Sequence, residues 1–265
     1  MPFFSGGSLT LPYILSFEVL TMILFITSSP FIDGAPRAIL DPQNGLIDRL
    51  QCVLPANPQV TFVCSDPEDH TGTSEFASIT TAAFAEIGIH FSGYQVLDGT
   101  NAHRAYALIS HSDFVVLCGG HVPTQNAFFR KIRLRHLLHK FGGVVMGISA
   151  GSMNTADIVY VQPEETGESV DPDFQRFAQG LGLTDVNICP HYQKVKDRYL
   201  DGQRLFEDIT YSDSMGNTFF ALPDGSYFYQ DNDGLLLCGR AYRIRDGFLE
   251  LLTVEEEVLD MSLLD

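Results

Sequence analysis

Five short apolar runs constrain this chain most: Met22 to Ile26, Val60 to Cys64, Tyr94 to Leu97, Phe114 to Cys118 and Val144 to Gly147. They are too short for helices and are apolar along most of their length, as strands covered on both faces should be. The segments between them carry a helical period instead. Ser74 to Ile87 sets Phe76, Ile79, Ala83, Phe84 and Ile87 on one stripe, with Gly88 as a stop. A second helix is expected over Thr124 to Lys140, where Leu134, Leu137, Leu138 and then Phe141 share a spacing and Arg130, Lys131, Arg133, Arg135 and Lys140 form a solvated face. This alternation predicts an α/β fold, a mainly parallel sheet flanked by helices in a flavodoxin-like arrangement. After Pro223 the texture changes. Asp231-Asn232-Asp233-Gly234 and Arg245-Asp246-Gly247 carry the Asp-Gly turn signal, which predicts a C-terminal antiparallel hairpin region.

No repeat or low-complexity linker divides the 265 residues, so a single α/β domain over 1–265 is expected. Sixteen basic residues against 33 acidic ones give a net charge of −17, which repels nucleic acid and anionic membranes and argues against either as a partner. Cys52, Cys64, Cys118, Cys189 and Cys238 are odd in number and scattered, forming neither a disulfide framework nor a C-x-x-C metal site. Free thiols and a cytoplasmic location are therefore expected. The apolar segment Leu9 to Phe31 could pass for a signal peptide or a membrane span. Pro12 and Glu18 interrupt it, no Lys or Arg precedes it, and Thr27-Ser28-Ser29-Pro30 offers no cleavage pattern. The expected reading is a buried first strand. A homo-oligomer is compatible with the sequence.

The strongest chemical signal is Gly147-Ile148-Ser149-Ala150-Gly151, a G-x-S-x-G directly after the last apolar run and before a plausible helix. A sharp strand-to-helix turn lifts a serine hydroxyl above the sheet edge and needs small neighbours. Twenty-three glycines make a chance match a fair objection, which the placement between strand and helix answers. A serine hydroxyl needs a base. Of eight histidines only His191, in Ile188-Cys189-Pro190-His191-Tyr192, follows the serine. The orienting acid has two candidates. Asp224, in Leu222-Pro223-Asp224-Gly225, follows an apolar run but could be an ordinary turn residue. Glu164, near Glu165 and Glu168, lies in a polar stretch that reads as exposed loop. For an oxyanion hole, the amide of Ala150 and one from Gly119 or Gly120 are expected, the latter pair forming a turn after Cys118. His121 beside them could line the pocket or be a bystander.

No cofactor and no metal are expected. His136 and His139 share a helix face without a third ligand, and Asp66-Pro67-Glu68-Asp69-His70 reads as the approach to a helix.

With these residues assembled, the chain resembles the dipeptidase E and cyanophycinase group of serine peptidases, whose fold is similar to that of class I glutamine amidotransferases. The resemblance runs through Thr27-Ser28-Ser29, Val116-Leu117-Cys118-Gly119-Gly120, Gly147-Ile148-Ser149-Ala150-Gly151, Cys189-Pro190-His191-Tyr192 and Leu222-Pro223-Asp224-Gly225. It implies a nucleophile at Ser149, a base at His191, and an oxyanion hole from the Gly119-Gly120 turn with Ala150. It implies an acid at Asp224 where dipeptidase E members carry glutamate, while an acid between serine and histidine keeps Glu164 open. The amidotransferases carry cysteine at the elbow, so Ser149 departs from glutaminase chemistry. Aspartate-selective members use an arginine after the histidine, and no single arginine between Lys194 and Arg204 aligns with it. The resulting expectation is hydrolysis of a peptide or related amide in a small substrate, through an acyl-enzyme. The rivals are an esterase or acyltransferase with the same triad, and a binding module of the same fold without turnover.

Overall fold

The computed structural model describes residues 22–264. Most of the apolar segment from Leu9, up to residue 21, lies outside the described residues; its end supplies the expected first strand. Five strands, β1 (Ile23–Thr27), β2 (Gln59–Val63), β3 (Gly93–Leu97), β4 (Phe114–Leu117) and β5 (Val144–Ile148), fall within one residue of the five apolar runs. They are parallel, in the order β1-β5-β4-β2-β3. Read from the β3 edge, the first four follow the flavodoxin-like order, and the outer place beside β5 is filled by the first strand of the chain.

The two-residue period of the strands divides the core. Leu24, Ile26, Val115, Leu117 and Val145 pack on one face, and Phe25, Phe114, Val116, Met146 and Ile148 on the other. Helices α1 (Leu46–Val53) and α2 (His70–Glu86) cover the second face through Leu46, Leu50, Ala77 and Phe84. Helices α3 (Ala105–Ser110), α4 (Val122–Lys131), α5 (Leu134–Leu138) and α6 (Ala150–Met153) cover the first through Leu108, Phe128, Leu134 and Met153. Phe84 lies against Phe91 and Phe114, with ring centroids 5.2 and 5.7 Å away. Truncation of so buried a ring costs about 3–5 kcal/mol.

The long helix expected over Thr124 to Lys140 is two helices. Ile132 and Leu134 are both buried, yet residues two apart cannot share one face of a continuous helix. Arg133 adopts a left-handed backbone at φ 56° and turns the chain so that both reach the core. Helix α2 begins earlier than expected because Asp69 caps it, its carboxylate accepting the Gly72 N–H at 2.9 Å.

Beyond β1 the sheet continues antiparallel through Tyr227–Gln230, Leu235–Cys238 and Val258–Asp260, to eight strands in all. A second, four-stranded sheet contains Phe248–Thr253, Ala241–Arg245, Thr218–Ala221 and Ile188–Cys189, the last two parallel. Both Asp-Gly segments form the expected hairpin turns, one in each sheet. Phe220 of the second sheet meets Phe228 of the first, centroids 5.1 Å apart. Among the described residues no helix is long and apolar enough to cross a membrane.

Candidate active site

Ser149 follows β5 directly and adopts φ 52° and ψ −114°, a conformation costly for a residue with a side chain. Its N–H is held by the Thr27 and Ser28 carbonyls at 3.1 and 3.0 Å. The flanking glycines are needed because the backbone passes too close to its surroundings. A Cβ on Gly147 would sit 2.6 Å from the Ser152 N and Cα, and one on Gly151 would collide with the Leu117 carbonyl. Helix α6 starts at Ala150, so its first N–H groups have no partner within the helix.

His191 comes from the end of the strand Ile188–Cys189, and Asp224 from the turn after Thr218–Ala221; these strands are parallel neighbours in the second sheet. Ser149 ends a strand of the first sheet, so the three side chains meet where the two sheets adjoin. His191 Nε2 lies 2.9 Å from Ser149 Oγ, and His191 Nδ1 lies 2.6 Å from Asp224 Oδ1. A carboxylate only accepts, which puts the imidazole proton on Nδ1 and leaves Nε2 to accept from the serine hydroxyl. The backbone of His191 is left-handed at φ 57°, with its N–H donated to Ser28 Oγ at 2.7 Å. Ser28 in turn donates to Asp224 Oδ1 at 2.9 Å.

Asp224 is buried, with 4% of its side chain exposed. Burial raises its pKa, but the His191 hydrogen bond and charge, the Lys194 ammonium and the Ser28 hydroxyl outweigh this and hold the carboxyl well below the ordinary range. Lys194 Nζ lies 2.8 Å from Asp224 Oδ2 and 2.7 Å from Asp33 Oδ1. The turn is fixed from both sides: Gly225 N–H donates to the Ser29 carbonyl at 2.9 Å, and Asp224 N–H to Gln193 Oε1 at 3.1 Å.

Ser149, His191, Gly119, Gly120, Glu164 and Arg198 line one cleft of about 470 Å³. Ala150 is buried behind Ser149, and Asp224 behind His191. Glu164 is not the exposed loop residue expected. It forms part of the cleft wall, while both ring nitrogens of His191 are engaged by Ser149 and Asp224. Burial pushes the Glu164 carboxyl up to about 7, against the opposing pull of His121, Arg198 and His191.

His121 does not line the cleft, but it holds two of the segments that do. Its Nε2 donates to Glu168 Oε1 at 2.8 Å and its Nδ1 pairs with Thr124 Oγ1 at 2.8 Å, tying the Gly119-Gly120 turn to the loop that carries Glu164. Ligand atoms of His121, Glu165 and Glu168 lie within 4.8 Å of one another and could approach a cation. Glu168 is already committed, since it also accepts the Glu164 and Glu165 N–H groups at 2.8 and 2.9 Å. His139 donates to the Leu181 carbonyl at 2.9 Å.

Two groups at the site escaped the sequence reading. Lys194 was visible only as part of a basic stretch. Ser28 could have been found from the parallel pairing of β1 with β5, which sets Thr27 opposite Ile148 and so brings the next residues together.

No curated protein is similar to the chain in sequence. Among solved structures, the crystal structure of a candidate peptidase E protein from Listeria monocytogenes EGD-e is similar in fold, with TM-score 0.55 and 15% identity over 88% of this chain and 100% of that one. The family model described as Peptidase family S51 matches residues 41–238, from before α1 through the strand Leu235–Cys238, a span that includes Ser149, Glu164, His191, Lys194 and Asp224. The chain thus belongs to peptidase family S51.

Proposed function

We propose that this peptidase works as a serine-type hydrolase, with Ser149 as nucleophile, His191 as general base and acid, and Asp224 as the orienting acid. The observation that carries the reading is the continuous line from Ser149 Oγ through His191 Nε2 at 2.9 Å, and from His191 Nδ1 to Asp224 at 2.6 Å. Ser149 Oγ attacks the carbonyl carbon while its proton passes to His191 Nε2. That proton then goes to the leaving amine, giving an acyl-enzyme, and a water activated by the same nitrogen releases the acid. Amide groups of Ala150 and the Gly119-Gly120 turn take the developing oxyanion. No resident cofactor enters this scheme.

The same reading treats the chain as one functional unit, because His191 and Asp224 come from the second sheet and Ser149 from the first. Its five free thiols, four of them buried, support the expectation of a reducing, cytoplasmic setting. The test is chemical trapping. An activated aminoacyl ester quenched in acid during turnover should leave an acyl group on the peptide containing Ser149, and His191→Ala should abolish it. An adduct on another residue, or none alongside active turnover, would refute the assignment.

A further inference from the structure

Part of the basic run that reads as a solvated face encloses a second cleft, of about 590 Å³, at the opposite end of α4 from the Gly119-Gly120 turn. Arg130 near the end of α4, Arg133 at the break and Arg135 on α5 line it together with His136 and His139. No Asp or Glu lines it, although the chain carries 33 acidic residues against 16 basic ones. The opposite wall is the segment 179–181, and its three main-chain carbonyls are already taken. Gln179 accepts from Asn126 Nδ2 at 3.0 Å, Gly180 from Arg135 Nη1 at 3.0 Å and Leu181 from His139 Nε2 at 2.9 Å. Arg135 is further held by Asp157 at 2.7 Å. Arg130 and Arg133 are left over: both are exposed, and among the described residues neither guanidinium donates a hydrogen bond or joins an ion pair. Helix geometry does not account for them. An arginine in a last helical turn commonly bonds the free carbonyls there, which Arg130 does not do, and the left-handed backbone of Arg133 would suit glycine or asparagine at less cost.

A cleft with spare cationic donors, no carboxylate and no spare carbonyl on its far wall suits an anion. Two guanidinium forks three residues apart offer more than one carboxylate can fill, and they match a group with two or more charges and oxygens on several sides. The floor is fixed in advance, because Phe129 is buried and the buried Asn126 also donates to Asn154 Oδ1 at 2.9 Å. We propose that this cleft is a binding site for a diphosphate group, free or carried on a small organic molecule, with Arg130 and Arg133 as its principal contacts. The site is separate from the Ser149 cleft and does not depend on the catalytic reading. At a net charge of −17 the chain as a whole repels anions, so binding must come from these local contacts. Both arginines are exposed, so the affinity should fall as salt is added.

Calorimetry on the full chain at low salt, without divalent metal, tests this with inorganic pyrophosphate as the probe. Arg130→Gln with Arg133→Gln should weaken binding about tenfold or more, the range of charge-assisted hydrogen bonds. Lys131→Gln with Lys140→Gln removes the same charge from residues that do not line the cleft, and should change the affinity less than about twofold. Malonate, a dicarboxylate, should bind at least about fivefold more weakly than pyrophosphate. ADP tells the two sources apart: tighter binding than pyrophosphate assigns the site to an organic diphosphate, weaker binding to the free ion. Folding of each variant is checked by thermal unfolding, and should the double arginine variant not fold, Arg130→Gln alone should still weaken binding about threefold. No binding of pyrophosphate to wild type overturns the proposal. So does an equal loss in the lysine variant, which would show only a diffuse field, or malonate binding as tight as pyrophosphate. Loss of binding in Arg198→Gln with the arginine pair intact would place the anion in the Ser149 cleft and equally overturn it.

Discussion

Lys194 Nζ bridges Asp224 Oδ2 at 2.8 Å and Asp33 Oδ1 at 2.7 Å, so the acid behind His191 carries a second, cationic partner of its own. Asp224 therefore has both oxygens engaged, one by His191 and Ser28 and the other by Lys194. Lys194 touches no reacting atom and acts through Asp224.

Lys194→Met should lower kcat about five- to tenfold with little change in KM, the scale of one charge-assisted bond reduced by the partial exposure of the lysine. The pH response has a defined sign. The folded Asp224 carboxyl lies below its ordinary 3.8, so its ionisation contributes stability above that value and the contribution fades as the pH falls through the folded value. In Lys194→Met the carboxyl rises towards 3.8, so its contribution should be smaller above that value and should be gone at a higher pH in thermal unfolding scans. Scans that superimpose on wild type from pH 3 to 6 would contradict this.

Asp224→Asn should reduce kcat by up to ~10⁴-fold, because an amide facing Nδ1 favours the wrong imidazole tautomer. Glu164→Gln should leave kcat on saturating substrate within about threefold, since that carboxylate makes no bond to His191. Steady-state kinetics on both variants decides between the two acids, and the reverse pattern would move the orienting role to Glu164.

The Ser149 backbone at φ 52° suits glycine better than any residue with a Cβ. Ser149→Gly should thus be more stable than Ser149→Ala by about 1 kcal/mol, the strain relieved less the extra unfolded-state entropy of glycine. Chemical denaturation compares the two inactive proteins, and a less stable glycine variant would show the turn to be unstrained.

Glu164 has its folded pKa raised from 4.5 to about 7 by burial, so it binds its proton more tightly when folded. Its stability contribution is full below about pH 4.5 and disappears as the pH rises through about 7. Glu164→Gln should therefore gain about 2 kcal/mol over wild type at pH 8, allowing for its solvent-facing part, and nothing at pH 4. Equal stabilities at pH 8 would mean that the carboxyl is well solvated.

Much of this architecture was legible in local pattern. The five parallel strands could be read because strands covered on both faces must be apolar, and Ser149 because its turn demands Gly147 and Gly151. His191 followed from order along the chain. The break at Arg133 was not legible, because a helical period and two buried residues at 132 and 134 conflict only once the core is known. Glu164 was misjudged for a related reason. Three glutamates within five residues read as exposed loop, but His121 and Glu168 draw that loop over the cleft through a contact 47 residues apart in the chain. Lys194 acts through a long-range contact with Asp224 that no spacing encodes, and Ser28 is reached only through the pairing of β1 with β5.

The central claim is that Ser149 forms the acyl-enzyme in peptide hydrolysis. Its most direct test is kcat/KM of Ser149→Ala beside wild type, on unblocked dipeptides that wild type hydrolyses. The expected result is a loss of about 10⁴-fold or more with an unchanged circular dichroism spectrum, leaving only what binding and the oxyanion amides supply. Turnover by Ser149→Ala within tenfold of wild type would contradict the account.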